Sequence, residues 1–375
     1  MKHFIRFRLV GLMLAAIFIL LFSACGKAQP VDARLANLQL PPGFQIEIYA
    51  AGVKGARSMT LGENGVVFVG SRSEGMVYAL IDEQNRGTNV SVVTVASGLD
   101  TPNGVAFRAG ALYVAENSRI LRYDNIMASL RQKPVPVVIT DNLPPDRAHG
   151  WKYLAFGPDG KLYVPIGAPY NIGVSTDPRF STIMQMNPDG SEQRIYAAGV
   201  RNTVGFDWDP GSGELWFTDN GRDWLGDNLP PDELNHAPRA GLHFGFPHYY
   251  GDNVPDPEFK QHPDPTHLVV PAHKLGAHVA ALGMKFYTGK MFPPEYHNQI
   301  FIAEHGSWNR SAPVGYRVSL VRLQAGRVVS YEDFATGWLQ NLSVWGRPVD
   351  VLVMPDGAML VSDDRAGQVY RISYR

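Results

Sequence analysis

The sequence predicts an all-β chain, a six-bladed β-propeller of four-stranded antiparallel blades behind an N-terminal signal segment. Three observations predict it. Glycine (38) and proline (28) are high for a helical protein and mark many turns. Six short β-rich runs recur roughly every 45 to 60 residues, with one longer gap, as in a propeller of repeated blades. Helical periodicity is almost absent, with one short turn expected at 125–131.

The elements follow in chain order. Lys2, Arg6 and Arg8 precede an apolar run at 9–22 that is too short for a comfortable membrane span. Ser23-Ala24-Cys25-Gly26 follows, so residues 1–25 read as a secretory signal. It resembles a bacterial lipoprotein signal, with Cys25 lipidated and residues 26–39 as a tether. Phe22 stands where an aliphatic residue is usual, which leaves ordinary cleavage near Ala28 open. The expectation is an exported protein, lipid-anchored to the cell envelope and facing the periplasm or exterior. Cys25 is the only cysteine, so no disulfide forms within the chain.

The propeller is expected over 40–375. Its six runs begin at Val66, Leu112, Leu162, Leu215, Ile300 and Met359, and the turn Pro-Asp-Gly precedes two of them at 158–160 and 355–357. Second strands follow, such as 120–123 and 368–372. The strand at 44–50 has no partner nearby in sequence and is expected to close the ring beside the last blade, pairing an edge that would otherwise stay open. The rival architecture, two β-sandwich domains, finds no linker of suitable composition.

The net charge of -1, with no basic run after the signal, excludes a nucleic-acid surface, and leaves the lipid anchor as the only membrane contact. The long gap between Thr218 and Ile300 holds a loop with Asp219, Asp223, Asp227, Asp232 and Glu233, together with Trp224, Leu225, Leu229 and Pro230-Pro231 as apolar anchors. Such a loop suits a hard cation such as Ca²⁺, or is simply an ordered acidic loop; the EF-hand pattern is absent. Ten of the eleven histidines lie between His149 and His305, which leaves a zinc or copper site open among His236, His243, His248, His262, His267, His273 and His278. His149 sits at a loop-to-strand junction, where a histidine can act as general base. Arg201-Asn202 and Arg347 occupy similar junctions, and arginines converging on a channel suit a planar polyanion.

The order of these motifs resembles a known family. His149-Gly150, Pro158-Asp159-Gly160 before Leu162-Tyr163-Val164, Gly199-Val200-Arg201-Asn202 before Gly205, Asp232-Glu233-Leu234-Asn235 and Gly245-Phe246-Pro247 follow the pyrroloquinoline quinone (PQQ)-dependent soluble sugar dehydrogenases, which are six-bladed propellers. The segments 225–232 and His305-Gly306-Ser307-Trp308-Asn309-Arg310 resemble the sorbosone dehydrogenase-like branch. The resemblance implies PQQ and Ca²⁺ as cofactors, a sugar or aldehyde as substrate, and an external quinone or cytochrome as electron acceptor. It implies His149 as the base and Arg201 beside the quinone oxygens, where its charge stabilises the reduced cofactor. Asn202, Asn103, His278, His305 and Arg347 fall in the cofactor site, and the backbone carbonyls of Gly221 and Arg222 on Ca²⁺.

Four departures accompany it, one being Gly221-Arg222 where Gly-Pro is common. Ala168 stands where glucose-oxidising members carry a carboxylate that orients the base. Val349 replaces a second arginine, and the region 171–174 lacks a cysteine pair. Two other classes stay open: a Ca²⁺-dependent propeller lactonase, and an envelope propeller that binds glycan or protein without catalysis.

Overall fold

A computed structural model describes residues 32–83, 87 and 90–375, together with Met1. The chain divides into two units, Met1–Ala33 and Arg34–Arg375. Cys25 and the expected signal lie outside the described residues.

Among the described residues the second unit is built from six blade sheets, with two small two-stranded sheets beside them, Tyr249–Tyr250 with Val254–Pro255 and Leu339–Gln340 with Ser343–Val344. The first blade runs Met59–Leu61, Val67–Val69, Met76–Ile81, Ser91–Ser97, and the second Gly104–Arg108, Ala111–Ala115, Ile120–Tyr123, Val137–Thr140. The third runs Ala155–Phe156, Leu162–Ile166, Thr182–Met186, Arg194–Ala198, and gains a parallel fifth strand, Leu242–His243, from the long insert. The fourth is Phe206–Trp208, Leu215–Asp219, Glu233–Ala237 and, after the insert, His273–Lys274. The fifth is Ala281–Phe286, Ile300–Glu304, Arg317–Gln324, Arg327–Ala335. The sixth joins Pro348–Val353, Met359–Asp363 and Gln368–Tyr374 to the N-terminal strand Phe44–Ala51. That strand pairs antiparallel with the last, from Phe44 against Tyr374 to Ala51 against Gln368, and closes the ring as the sequence predicts.

The six sequence runs are the second strands of the six blades, and every residue of those strands is buried. The reason is the core. It is divided into six slabs between neighbouring blades, and successive residues of a second strand face different slabs. Phe68 packs toward the second blade while Val67 and Val69 pack toward the sixth. Likewise Leu215 and Phe217 face the third blade and Trp216 the fifth. A strand covered on both faces reads as an uninterrupted apolar run. The expected turn at 125–131 is a 3₁₀ helix, Ile126–Ala128. First strands of neighbouring blades contact one another around the axis, which brings the loops leading into the first strands and those leaving the antiparallel second strands to one mouth.

Candidate active site

At that mouth lies a cavity of about 390 Å³. His149, Arg201, Asn202, Gly221, His278, His305 and Arg347, all singled out in the sequence, share its wall.

His149 precedes the third blade with φ of +49°, a left-handed conformation uncommon for a histidine and frequent at functional sites. Its Nδ1 lies 2.8 Å from the carbonyl oxygen of Ala168. A carbonyl only accepts, so Nδ1–H donates and the neutral ring keeps a free lone pair on Nε2. Gly167 makes this approach possible, since a Cβ there would stand 2.5 Å from the His149 Cβ. Burial, helped by the Arg201 charge, pushes the His149 pKa down to about 4. At neutral pH it is an unprotonated base.

Arg201 is held on every side. Nε donates to the Asn171 carbonyl (2.9 Å) and Nη2 to the Asn171 Oδ1 (2.9 Å). Nη1 donates to the carbonyls of Asn220 (3.1 Å) and Gly221 (2.8 Å). Beneath, the carboxylate of Asp219 accepts the backbone N–H groups of Arg201 (2.8 Å) and Asn202 (2.6 Å). The acidic loop therefore works mainly inward. Asp232 accepts from the N–H groups of Gly221, Ala280 and Ala281, and Glu233 from that of Gly251. Burial raises the pKa of Asp219 to about 7, of Asp232 to about 6 and of Glu233 to about 8.

The opposite wall carries Arg57, Arg72 and Arg347. Arg347 donates to the carbonyls of His305 (2.9 Å) and Gly306 (2.7 Å) and lies over the Tyr316 ring. Arg72 lies 3.9 Å over the Trp151 ring. Neither guanidinium forms an ion pair among the described residues. Arg57 pairs with Asp364 (3.0 Å), whose other oxygen meets His305 Nε2 at 2.9 Å. Leu282, packed with Val204, Val349 and Trp151, adds an apolar patch. Four guanidinium groups and one neutral imidazole around such a patch bind a flat polyanion and accept a proton beside it.

Several expectations are corrected. Asn103 is fully buried and does not line the cavity; it accepts from Arg57 Nε (2.7 Å) and donates to the Lys152 carbonyl (2.8 Å), so it pins Arg57 instead. Arg222 lines a smaller cavity behind Gly221, with its guanidinium on Asp256 (2.7 Å). Trp224 is not an apolar anchor but stands exposed. The insert histidines do not converge: His236 pairs with Glu214 and stacks on Trp216, while His243 accepts from Gly245 N–H. Among the described residues, no group of three His, Cys, Asp or Glu side chains is placed to hold a metal. Arg57, Arg72, Asn171 and Asp364 enter the site without any signal in the sequence motifs.

The glucose/sorbosone dehydrogenase family model matches residues 127–371. The chain belongs to that family. A further relative, an uncharacterized protein of Borreliella burgdorferi, is 35% identical over 354 residues, 90% of this chain and 91% of that protein. The holo form of the pyranose dehydrogenase PQQ domain from Coprinopsis cinerea shares the fold with a TM-score of 0.74 at 21% identity, over 90% of this chain and 97% of that one. So does the calcium structure of a carbohydrate-active enzyme of family AA12 from Trichoderma reesei, with a TM-score of 0.77 at 19% identity, over 90% and 97%. As a glucose/sorbosone dehydrogenase family member, the chain resolves two of its departures locally. The backbone carbonyl of Ala168 holds His149 where its side chain cannot. Positive charge comes from Arg57 and Arg72 of the first blade, where Val349 has none.

Proposed function

We propose that the protein is an exported, lipid-anchored dehydrogenase that oxidises a sugar or an aldehyde with PQQ and Ca²⁺ and passes electrons to an external quinone or cytochrome. The observation that carries this reading is a neutral, oriented imidazole in the same cavity as four guanidinium groups. PQQ is flat and carries three carboxylates. It fits the site because Arg72 and Arg347 have no carboxylate partner among the described residues, and burial lowers the pKa of both, as expected of cations that lack an anion. Arg57, Arg72, Arg347 and Arg201 are the groups that would hold it. Calcium fits the oxygen donors beside Arg201: Gly221 O gives one lone pair to Arg201 and keeps a second, and Asp223 shares that wall.

When bound, PQQ supplies the acceptor for the hydride that leaves the substrate carbon. The chain supplies the rest. His149 Nε2 takes the proton of the substrate hydroxyl. Ala168 O holds the tautomer that makes this possible. Arg201, fixed by Asn171 and Asp219, keeps a positive charge where negative charge develops. Trp151, edge-on to the imidazole with ring centroids 6.3 Å apart, gives the base an apolar neighbour.

The decisive experiment mixes the purified protein with PQQ and Ca²⁺ and follows binding by calorimetry, then dye reduction over aldoses, sorbosone and simple aldehydes. Absence of PQQ binding ends the reading. Arg347→Ala is expected to weaken PQQ binding before it affects turnover of the loaded enzyme. The pH profile gives a second check. Because burial lowers the His149 pKa, the base stays unprotonated well below the ordinary imidazole value of ~6.5. The acid limb of kcat/KM is expected near pH 4; a limb near the ordinary imidazole value would contradict the assigned base.

A further inference from the structure

We propose that the mouth of the cavity carries a second carbohydrate subsite, built on Trp224 and Trp308, which holds the next ring of an oligosaccharide whose terminal unit enters the cavity. This rests on the sugar-dehydrogenase reading.

Of the seven tryptophans, only these two are exposed, each at 68%. They are neighbours, with ring centroids 5.5 Å apart and planes at 90°. Trp308 lines the cavity, and so does Asp223, the residue before Trp224. Exposed indoles that pack against no core present large flat apolar faces to solvent. Trp224 also keeps a left-handed backbone, φ +73°, which a bulky residue adopts rarely.

The pair is held in place. Its two loops are clasped by Arg310, whose Nε donates to the Asp227 carbonyl (2.9 Å) and whose Nη2 donates to Asn228 Oδ1 (3.2 Å). Ser311 closes the clasp through its N–H (3.0 Å) and hydroxyl to the Asp227 carboxylate. His278 Nε2 ties the same loop to the cavity wall at the Gly226 carbonyl (2.8 Å). A platform fixed before the ligand arrives loses little freedom on binding.

The chemistry beside the platform selects the ligand. Asn309 lines the cavity next to Trp308, and its Oδ1 is buried with no hydrogen-bond partner among the described residues. A buried acceptor left unpaired is costly, and a ligand hydroxyl satisfies it. Asp227, Asn228 and Arg310 also line a second groove of about 510 Å³, with Arg317 and Asp333. Planar amides, carboxylates and guanidinium groups hydrogen-bond to hydroxyls, while the C–H face of a pyranose ring packs on an indole. An acyl chain needs only the indoles and is disfavoured by the charged groups around them.

The test uses glucose against cellotriose, maltotriose and xylotriose. Dye reduction by the PQQ- and Ca²⁺-loaded enzyme gives the ratio of kcat/KM for each trisaccharide to that for glucose. Calorimetry on the PQQ-free protein gives affinities without turnover. At least one trisaccharide is expected to exceed glucose in both. Trp224→Ala and Trp308→Ala are each expected to lower that ratio about tenfold, the equivalent of one aromatic platform contact. Asn309→Ala is expected to lower it in the same direction. Equal losses for glucose and the trisaccharides would overturn the proposal and assign the pair to acceptor docking. A wild-type protein indifferent to sugar length would overturn it too. Trisaccharide binding without PQQ binding would keep the subsite and end the dehydrogenase reading; glucose turnover without trisaccharide binding would do the reverse.

Discussion

His149→Ala is expected to lower kcat/KM by about 10²- to 10⁴-fold, the range for loss of a positioned general base. PQQ affinity is expected to hold, because the groups that would grip the cofactor, Arg57, Arg72, Arg201 and Arg347, are each fixed by partners other than His149. The separation of the two effects identifies a base rather than a binding group. The backbone needs a control, since residue 149 is left-handed and alanine disfavours that conformation. His149→Asn supplies it: asparagine tolerates the left-handed region but cannot serve as a base at neutral pH. Both variants are expected to lose turnover alike, and unchanged turnover in either would refute the assignment. The residual rate is expected to lose the acid limb that His149 imposes.

What the sequence made legible follows from burial. A second strand such as Leu162–Ile166 is covered by a blade on each side, so its apolar run shows without alignment. An outer strand such as Val137–Thr140 is largely exposed and has no comparable pattern. Closure by Phe44–Ala51 was legible because that strand had no local partner. The site divides the same way. His149, Arg201 and Asn202 lie in short motifs whose order marks the family. Arg57 and Arg72 lie in the first blade, outside those motifs, and only the ring brings them to the mouth. Asn171 is a single asparagine in a loop, yet it takes two Arg201 hydrogen bonds and also accepts the N–H of Asp223 (2.8 Å). Asn103 shows the limit of residue-by-residue transfer: a polar residue at the expected position is turned inward and serves Arg57.

Arg57→Met is expected to cost about 3–5 kcal/mol of stability, the usual loss when one partner of a buried ion pair is removed. Arg57 is 2% exposed and joins three blades: it leads into the first, its Nε donates to Asn103 at the head of the second, and in the sixth its Nη1 donates to Asp364, just after the strand Met359–Asp363, while its carbonyl accepts from the Ser362 hydroxyl of that strand. Methionine fills similar space but leaves the Asp364 carboxylate with His305 as its remaining close partner. The pH dependence separates this cause from a packing defect. In the native chain burial pushes the His305 pKa down to about 4, against the pull of Asp364. Removing the Arg57 charge raises it, because Arg57 also lowers that value. Unfolded, His305 has the ordinary imidazole value of ~6.5, so protonating it in the fold costs stability as pH falls below that value, and a folded-state pKa closer to it makes the cost smaller in the variant than in the native chain. The loss in Arg57→Met is therefore expected to shrink as pH falls from 7 toward 5, as a protonated His305 compensates Asp364. Urea denaturation at several pH values measures it through the midpoint at constant slope. A loss independent of pH would assign the role of Arg57 to packing, and Arg57→Met with native stability would remove the pair from the account of ring closure.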